Sequence, residues 1–192
     1  MGESYDHDKR RIRRGMEPRR ARLTPDEIAR LSAAACDRVV ALAAFAAARH
    51  VVVYLPIGGE MDSTAIADRA LADGKRVYHP KGGSRTPGFV LAGAPDAGSG
   101  PPIPSPDVLF VVPGVAFDLR GARLGRGSGW YDRALAAHPG GVRVGLAYDF
   151  QLVPVLPEAP WDVRMDAVAT DVRLVVPVVA GDPRTAVKEN RT

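Results

Sequence analysis

The sequence predicts an α/β fold: one domain spanning residues 1–192, built as a three-layer αβα sandwich around a mostly parallel sheet. Three observations lead there. An apolar run, Val51–Leu55, is followed by a helical segment and a second run, Arg76–His79, at the spacing of a strand–helix–strand unit. Valine-rich runs recur at Val108–Val112 and Val142–Tyr148. The 192 residues are 46% hydrophobic, enough to bury one sizeable core.

Each element has its own signal. Thr24-Pro25-Asp26-Glu27 is a helix start, with Thr24 as cap, Pro25 at the first helical position and Glu27 completing a capping box. That helix is expected to reach about Arg49 on an Ala-rich face that includes Leu31, Val39, Leu42 and Phe45. Pro18 is expected to break or kink any helix in the basic segment before it. Val51–Leu55 reads as a buried strand, Pro56–Glu60 as a loop, and Ser63–Asp73 as a helix closed by Gly74. Residues 86–106 are rich in Pro, Gly, Ala and Ser and read as a loop with a short strand at Phe89–Leu91. Val108–Val112 is a third strand ending at Pro113-Gly114, and a Gly-rich loop and a helix over Trp130–Ala137 follow. Val142–Tyr148 is a fourth strand, and Val168 and Val172–Val176 are short strand candidates. Residues 1–8 and 181–192 are expected to be flexible.

Composition narrows the function classes. Lys+Arg 26 against Asp+Glu 22 gives only +4, but the charge is uneven. Lys9, Arg10, Arg11, Arg13, Arg14, Arg19, Arg20 and Arg22 place eight of the 26 cations within fourteen positions, a cluster suited to phosphate. Cys36 is the single cysteine, which excludes an intrachain disulfide and a Cys-based zinc site; it is expected to be packed. There is no signal-peptide pattern, Asp6 breaks the myristoylation pattern, and no apolar run approaches the roughly 18–20 residues of a membrane span. A cytoplasmic protein is expected. His7, His50, His79 and His138 are scattered without metal-ligand spacing, and no Ser-His-Asp or Cys-His arrangement points to a protein nucleophile.

The chemistry concentrates in residues 121–132, Gly-Ala-Arg-Leu-Gly-Arg-Gly-Ser-Gly-Trp-Tyr-Asp. Alternating Gly125, Gly127 and Gly129 let backbone N–H groups converge, and Arg123 and Arg126 add fixed positive charge. The loop follows a strand and precedes a helix, where open α/β sheets bind ligands. Those features suit a phosphate, and Asp132 beside them suits a metal ion; an ordinary glycine-rich turn is the bland alternative. Trp130 and Tyr131 can stack on a ring system or pack in the core. Glu60, just past the first strand, can hold the N–H groups of a heterocycle or favour a helix start, and Asp62 fits the latter better. Lys9 and Arg13, four apart, share a helix face and either grip a polyphosphate or lie solvated. Asp149, Gln151, Asp162 and Asp166 cluster in the last third; Gln151 is a ligand contact or a turn residue.

Taken in order, these residues resemble the 5-formyltetrahydrofolate cyclo-ligase family. The resemblance rests on Lys9-x-x-x-Arg13 with Arg19, on Val53-Tyr54-Leu55-Pro56 with Glu60, and on Gly74-Lys75-Arg76-Val77 with Pro80. It continues through Val112-Pro113-Gly114-Val115-Ala116-Phe117-Asp118, Gly121, Arg123-Leu124-Gly125, Gly127, Gly129 and Tyr131-Asp132, then Gly145, Gln151, Asp162, Asp166 and Thr170. Trp130 replaces a tyrosine of the family pattern, and Ser128 stands where many members carry Lys or Gly.

The resemblance implies cyclisation of 5-formyltetrahydrofolate to 5,10-methenyltetrahydrofolate, with ATP as co-substrate, Mg²⁺, and release of ADP and phosphate. It implies Lys9, Arg13, Gly125, Arg126, Gly127, Ser128, Gly129 and Trp130 at ATP, and Arg123, Tyr131 and Asp132 at the reacting groups. Asp132 would take the metal. Glu60, Tyr54, Tyr131 and Gln151 would take the folate, with or without a polyglutamate tail. A monomer is expected, with neither nucleic acid nor membrane as partner. Two other readings stay open: a nucleic-acid-binding protein using the basic N-terminal arm, and a catalytically weakened folate- or nucleotide-binding homologue.

Overall fold

The computed structural model describes residues 2–81, 86–93, 103 and 107–177, with side chains from His7 onward. The expected flexible tail, 181–192, lies outside the described residues. The chain opens with α1 (Gly2–Ala21), α2 (Pro25–Val40) and α3 (Ala43–Ala47), then β1 (His50–Val52), α4 (Thr64–Ala72), β2 (Arg76–Pro80) and β3 (Phe89–Leu91). It continues with β4 (Val108–Pro113), β5 (Ala116–Asp118), β6 (Arg123–Leu124), α5 (Trp130–Ala136), β7 (Val142–Ala147), β8 (Leu152–Val153), β9 (Ala167–Thr170) and β10 (Leu174–Val175). Among the described residues, no helix is long and apolar enough to cross a membrane.

Seven strands form the central sheet in the order β10-β9-β7-β4-β1-β2-β3. The five inner strands are parallel, and the two edge strands, β10 and β3, are antiparallel. Alternation along β4 separates the two faces, as a pleated strand requires. Leu109 and Val111 join a core with Val39 of α2 and Ile66 of α4. Val108, Phe110 and Val112 join a second core with Leu135 of α5 and Phe117 of β5. The expected three-layer sandwich is therefore present.

Two elements depart from expectation. α1 continues through Pro18. The proline lies in the last turn, so little helix beyond it depends on the bond its missing N–H removes. α2 stops at Val40, and the chain turns at Leu42 with extended backbone (φ −69°, ψ 138°) before α3. The turn buries both Leu42 and Phe45, so packing overrides Ala-rich helix propensity. The Thr24 capping box forms as its sequence pattern requires.

A small sheet of order β6-β5-β8 was not legible from hydrophobic pattern, since its strands are two or three residues long. Asp118, fully buried, holds it together. Its carboxylate accepts from the backbone N–H groups of Arg120 (2.9 Å), Ala122 (3.0 Å) and Leu156 (2.9 Å), and from the Arg120 guanidinium. Met16 and Ile12 of α1 pack on this sheet with Val115, Ala116, Ala122 and Leu124. The sheet thus fixes α1 and the Gly-rich loop relative to each other.

Candidate functional site

The strand order reverses between the adjacent strands β1 and β4, since β2 lies beyond β1 and β7 beyond β4. Loops leaving the carboxyl ends of such a pair diverge and open a crevice. A cleft of about 1030 Å³ lies there. The loop after β1 supplies Tyr54 and Glu60; the end of β4 and the chain after it supply Pro113, Gly114 and the whole stretch from Arg123 to Arg133. α1 closes one side with Lys9, Arg10 and Arg13. Of the expected site residues, Gln151 alone is absent from this lining.

The Gly-rich loop is anchored at both ends. At its start, Arg123 is in β6 with its side chain 3% exposed, and its Nη2 donates to both Asp132 oxygens, at 3.1 and 3.0 Å. Its Nε is buried and has no hydrogen-bond partner among the described residues. An unsatisfied buried donor on a fixed cation is the chemistry an oxyanion completes. At the far end, Gly129 caps α5 with φ 63°, a left-handed conformation that glycine adopts without strain. Arg13 Nε donates to the Gly125 carbonyl at 2.9 Å, so α1 holds the loop directly.

Charge in the cleft is paired across its walls. Lys9 Nζ donates to Asp162 Oδ2 at 2.9 Å, joining residues 153 apart in the chain. Arg126 Nη2 donates to Glu60 Oε1 at 3.1 Å and to the Ile57 carbonyl at 3.1 Å. Arg126 is 47% exposed, so solvent reaches the cationic side of the pair and screens it. Glu60, 9% exposed in its side chain, also accepts from the Ile57 N–H at 3.2 Å and faces a second arginine, Arg20, at 3.9 Å.

Aromatic groups line the floor. Trp130 packs edge-on against Tyr131 (5.0 Å) and Phe89 (5.6 Å), so it serves both core and cleft. The Arg123 guanidinium lies 5.4 Å from the Tyr131 ring centre. Burial pushes the Tyr131 hydroxyl well above the usual tyrosine range, with Arg123 opposing, so it stays a neutral donor. Tyr54 is also raised, chiefly by burial and then by the Glu60 charge, and its hydroxyl donates to the Met61 carbonyl at 2.7 Å. Tyr54 therefore offers the cleft its ring and not its hydroxyl.

Gln151 does something other than the expected ligand contact. It is 2% exposed; its Oε1 accepts from Tyr148 N–H (3.0 Å) and its Nε2 donates to the carbonyls of Gly114 (2.9 Å) and Val115 (2.8 Å). With oxygen and amide both engaged by backbone, it pins the chain that leaves β4. Asp149 and Asp166 are likewise structural, bonded to Arg173 and to the Arg143 N–H. Asp162, noted in the sequence without a role, lines the cleft, and Trp161 and Arg20 are site or near-site residues that sequence reading did not single out. Trp161 is 74% exposed at the cleft rim.

Among the described residues no cluster of three or more metal-ligating side chains occurs. Mg²⁺ commonly uses one or two carboxylates together with substrate phosphates and water. Asp132 fits that donor set through Oδ2, which keeps a lone-pair site beyond its contact with Arg123, whereas Oδ1 also accepts from the Val163 N–H at 3.3 Å.

Fold and cleft define an α/β protein with an anion-ready loop facing a buried carboxylate across a sheet switch point. The profile of the 5-formyltetrahydrofolate cyclo-ligase family matches residues 5–171. The chain is 33% identical over 172 residues to the 5-formyltetrahydrofolate cyclo-ligase of Escherichia coli K12, covering 79% of this chain and 94% of that one. It is 34% identical over 149 residues to the Mycolicibacterium smegmatis cyclo-ligase, covering 67% of this chain and 76% of that one. The solved structure of Aquifex aeolicus 5,10-methenyltetrahydrofolate synthetase superposes with a TM-score of 0.76 at 30% identity, covering 96% of this chain and 95% of that one. The chain belongs to the 5-formyltetrahydrofolate cyclo-ligase family.

Proposed function

We propose that this enzyme closes the 5,10-methenyl bridge of tetrahydrofolate from 5-formyltetrahydrofolate and ATP. The observation that carries the reading is one cleft in which the Gly-rich loop and its cations face Glu60. Lys9, Arg13, Arg123, Arg126 and the loop amides from Gly125 to Gly129 would hold the triphosphate, with Ser128 and Trp130 beside it. Glu60 would accept the N–H groups of the pterin. Tyr54 and Tyr131 would flank the ring.

The formyl oxygen takes the γ-phosphoryl group of ATP and ADP is released. The formyl carbon now carries a phosphate in place of a poor leaving group. The substrate's N10 attacks that carbon and loses its proton, and phosphate departs with the former formyl oxygen. The protein's tasks are alignment and charge stabilisation, so no protein nucleophile is required. Mg²⁺ held by Asp132 and the phosphates would neutralise charge developing on the transferred group.

The ion pairs give the binding step a definite form. Phosphate would draw Arg126 from Glu60 and Lys9 from Asp162, freeing Glu60 for the pterin. The inward use of Lys9, Arg13 and Arg20 favours this reading over a nucleic-acid role for the basic helix. Retention of Glu60, Arg123 and Asp132 in one cleft favours an active enzyme over a weakened homologue. The test mixes the protein with 5-formyltetrahydrofolate, ATP and Mg²⁺ and follows the near-ultraviolet absorption of the methenyl product. Product that requires both substrates is expected; none from well-folded protein sinks the proposal.

A further inference from the structure

We infer that Arg20 is a positioning residue for Glu60, the buried cation that stays with this carboxylate when Arg126 turns to phosphate; the inference rests on the proposed Glu60–folate contact. Arg20 sits in the last turn of α1 and is 4% exposed. Its Nε and Nη1 are buried without a hydrogen-bond partner among the described residues, and Nη1 lies 3.9 Å from Glu60 Oε1. A buried guanidinium that lacks hydrogen bonds is unfavourable unless another state supplies them.

The loop geometry holds the two arginines on either side of Glu60. Gly58 and Gly59 have φ of 58° and 72°, and they thread the chain between α1 and Arg126. A Cβ on Gly59 would come within 3.3 Å of the Arg20 carbonyl. One on Gly58 would lie 3.2 Å from Arg126 Nη2 and 3.9 Å from Arg20 Nη2. Oε1 of Glu60 now receives its hydrogen bond from Arg126, which is half exposed. Once a phosphate takes Arg126, Oε1 is left facing only Arg20, whose unpartnered Nη1 has under 4 Å to close. Oε2 is meanwhile fixed by the Ile57 N–H. Arg20 thereby keeps the carboxylate paired and aimed at the pterin throughout turnover. A lysine would keep the charge but lose the fork that reaches both the loop and the carboxylate.

The test is two-substrate kinetics on Arg20→Met, Arg20→Lys, Glu60→Gln and the Arg20→Met/Glu60→Gln double variant, each checked for cooperative melting. Arg20→Met should raise the KM for 5-formyltetrahydrofolate about tenfold while the KM for ATP stays unchanged, as expected for loss of a charge-assisted contact. Arg20→Lys should show a smaller rise in the same constant. In the Glu60→Gln background, Arg20→Met should add nothing further. Equal changes in both KM values, or additive effects in the double variant, overturn the inference. If Arg20→Met fails to fold, Arg20→Lys decides, and an unchanged folate KM there overturns it. If Glu60→Gln itself leaves folate KM unchanged, the folate contact and this inference both fall. If Glu60→Gln raises it and the Arg20 variants do not, only this inference falls.

Discussion

Ser128 is exposed at the crest of the Gly-rich loop, where its hydroxyl does no more than accept weakly from the Trp130 N–H at 3.4 Å. A lysine there adds a flexible cation beside Arg126 and facing the proposed phosphate path. Ser128→Lys should lower the KM for ATP by roughly three- to tenfold, an effect that fades as salt screens exposed charge. The KM for 5-formyltetrahydrofolate should stay the same; a shift in that constant instead would place the nucleotide elsewhere. Asp132 calls for a gentler change than alanine, because it neutralises a nearly buried Arg123 and also accepts from the Val163 N–H at 3.3 Å. Asp132→Asn keeps most of that hydrogen bonding and removes the charge. Turnover should fall by at least about a hundredfold with the fold retained, and full activity in the asparagine variant refutes the metal role. Residues of this kind were legible in the sequence because their chemistry is concentrated in one short stretch. The role of Gln151 and the place of Arg20 were not: the partners of Gln151 are backbone atoms, and Arg20 is one cation among eight in a cluster.

At the scale of elements, the C-terminal edge of the sheet is tied to the strand beside it by one carboxylate. Asp149, just after β7, accepts from the Arg173 guanidinium at 2.8 and 2.7 Å and from Thr170 Oγ1 at 2.9 Å. Arg173 is the first cause that holds the Asp149 carboxyl below its ordinary value of 3.8. A carboxyl whose folded pKa is depressed stabilises the fold above the unfolded pKa, and loses that contribution as pH falls through the folded value. Asp149→Asn should therefore melt lower than the wild type at pH 7, and the gap should narrow as pH falls below the ordinary carboxyl value of 3.8. Arg173 is 57% exposed, so the gap should be only a few degrees. Melting curves against pH check this, and a gap that persists undiminished at pH 2–3 assigns it to packing. Long elements such as β4 and β7 were readable from β-branched apolar runs. β5, β6 and β8 were not, because two or three residues carry no period; their stability comes from Asp118, a long-range hub.

For the molecule as a whole, local pattern indicated parallel strands but could not supply their order, and the order is what creates the cleft. The switch point between β1 and β4 brings Glu60 to the Gly-rich loop, and the Lys9–Asp162 pair closes the chain's first helix onto its last third. Cys36 offers a way to watch that assembly open. It is 2% exposed in α2, and its Sγ donates to the Asp62 carbonyl at 3.3 Å, while Ser32 Oγ accepts from the Asp62 N–H at 2.9 Å. The thiol thus lies under the segment that follows Glu60. Burial, helped by the Asp62 charge, pushes the thiol up to about 12, so the native state holds almost no thiolate at neutral pH. Labelling by a thiol reagent should proceed only through opening of this region. Ligands that bind the closed cleft stabilise it by mass action, and at about 100 times their Kd they should slow labelling roughly a hundredfold. The two substrates together should therefore protect Cys36 far more than either solvent ions or an unrelated nucleotide. Fast labelling that ignores both substrates would mean that α2 and the Glu60 loop open independently of the cleft, and would separate the stability of the fold from occupancy of its site.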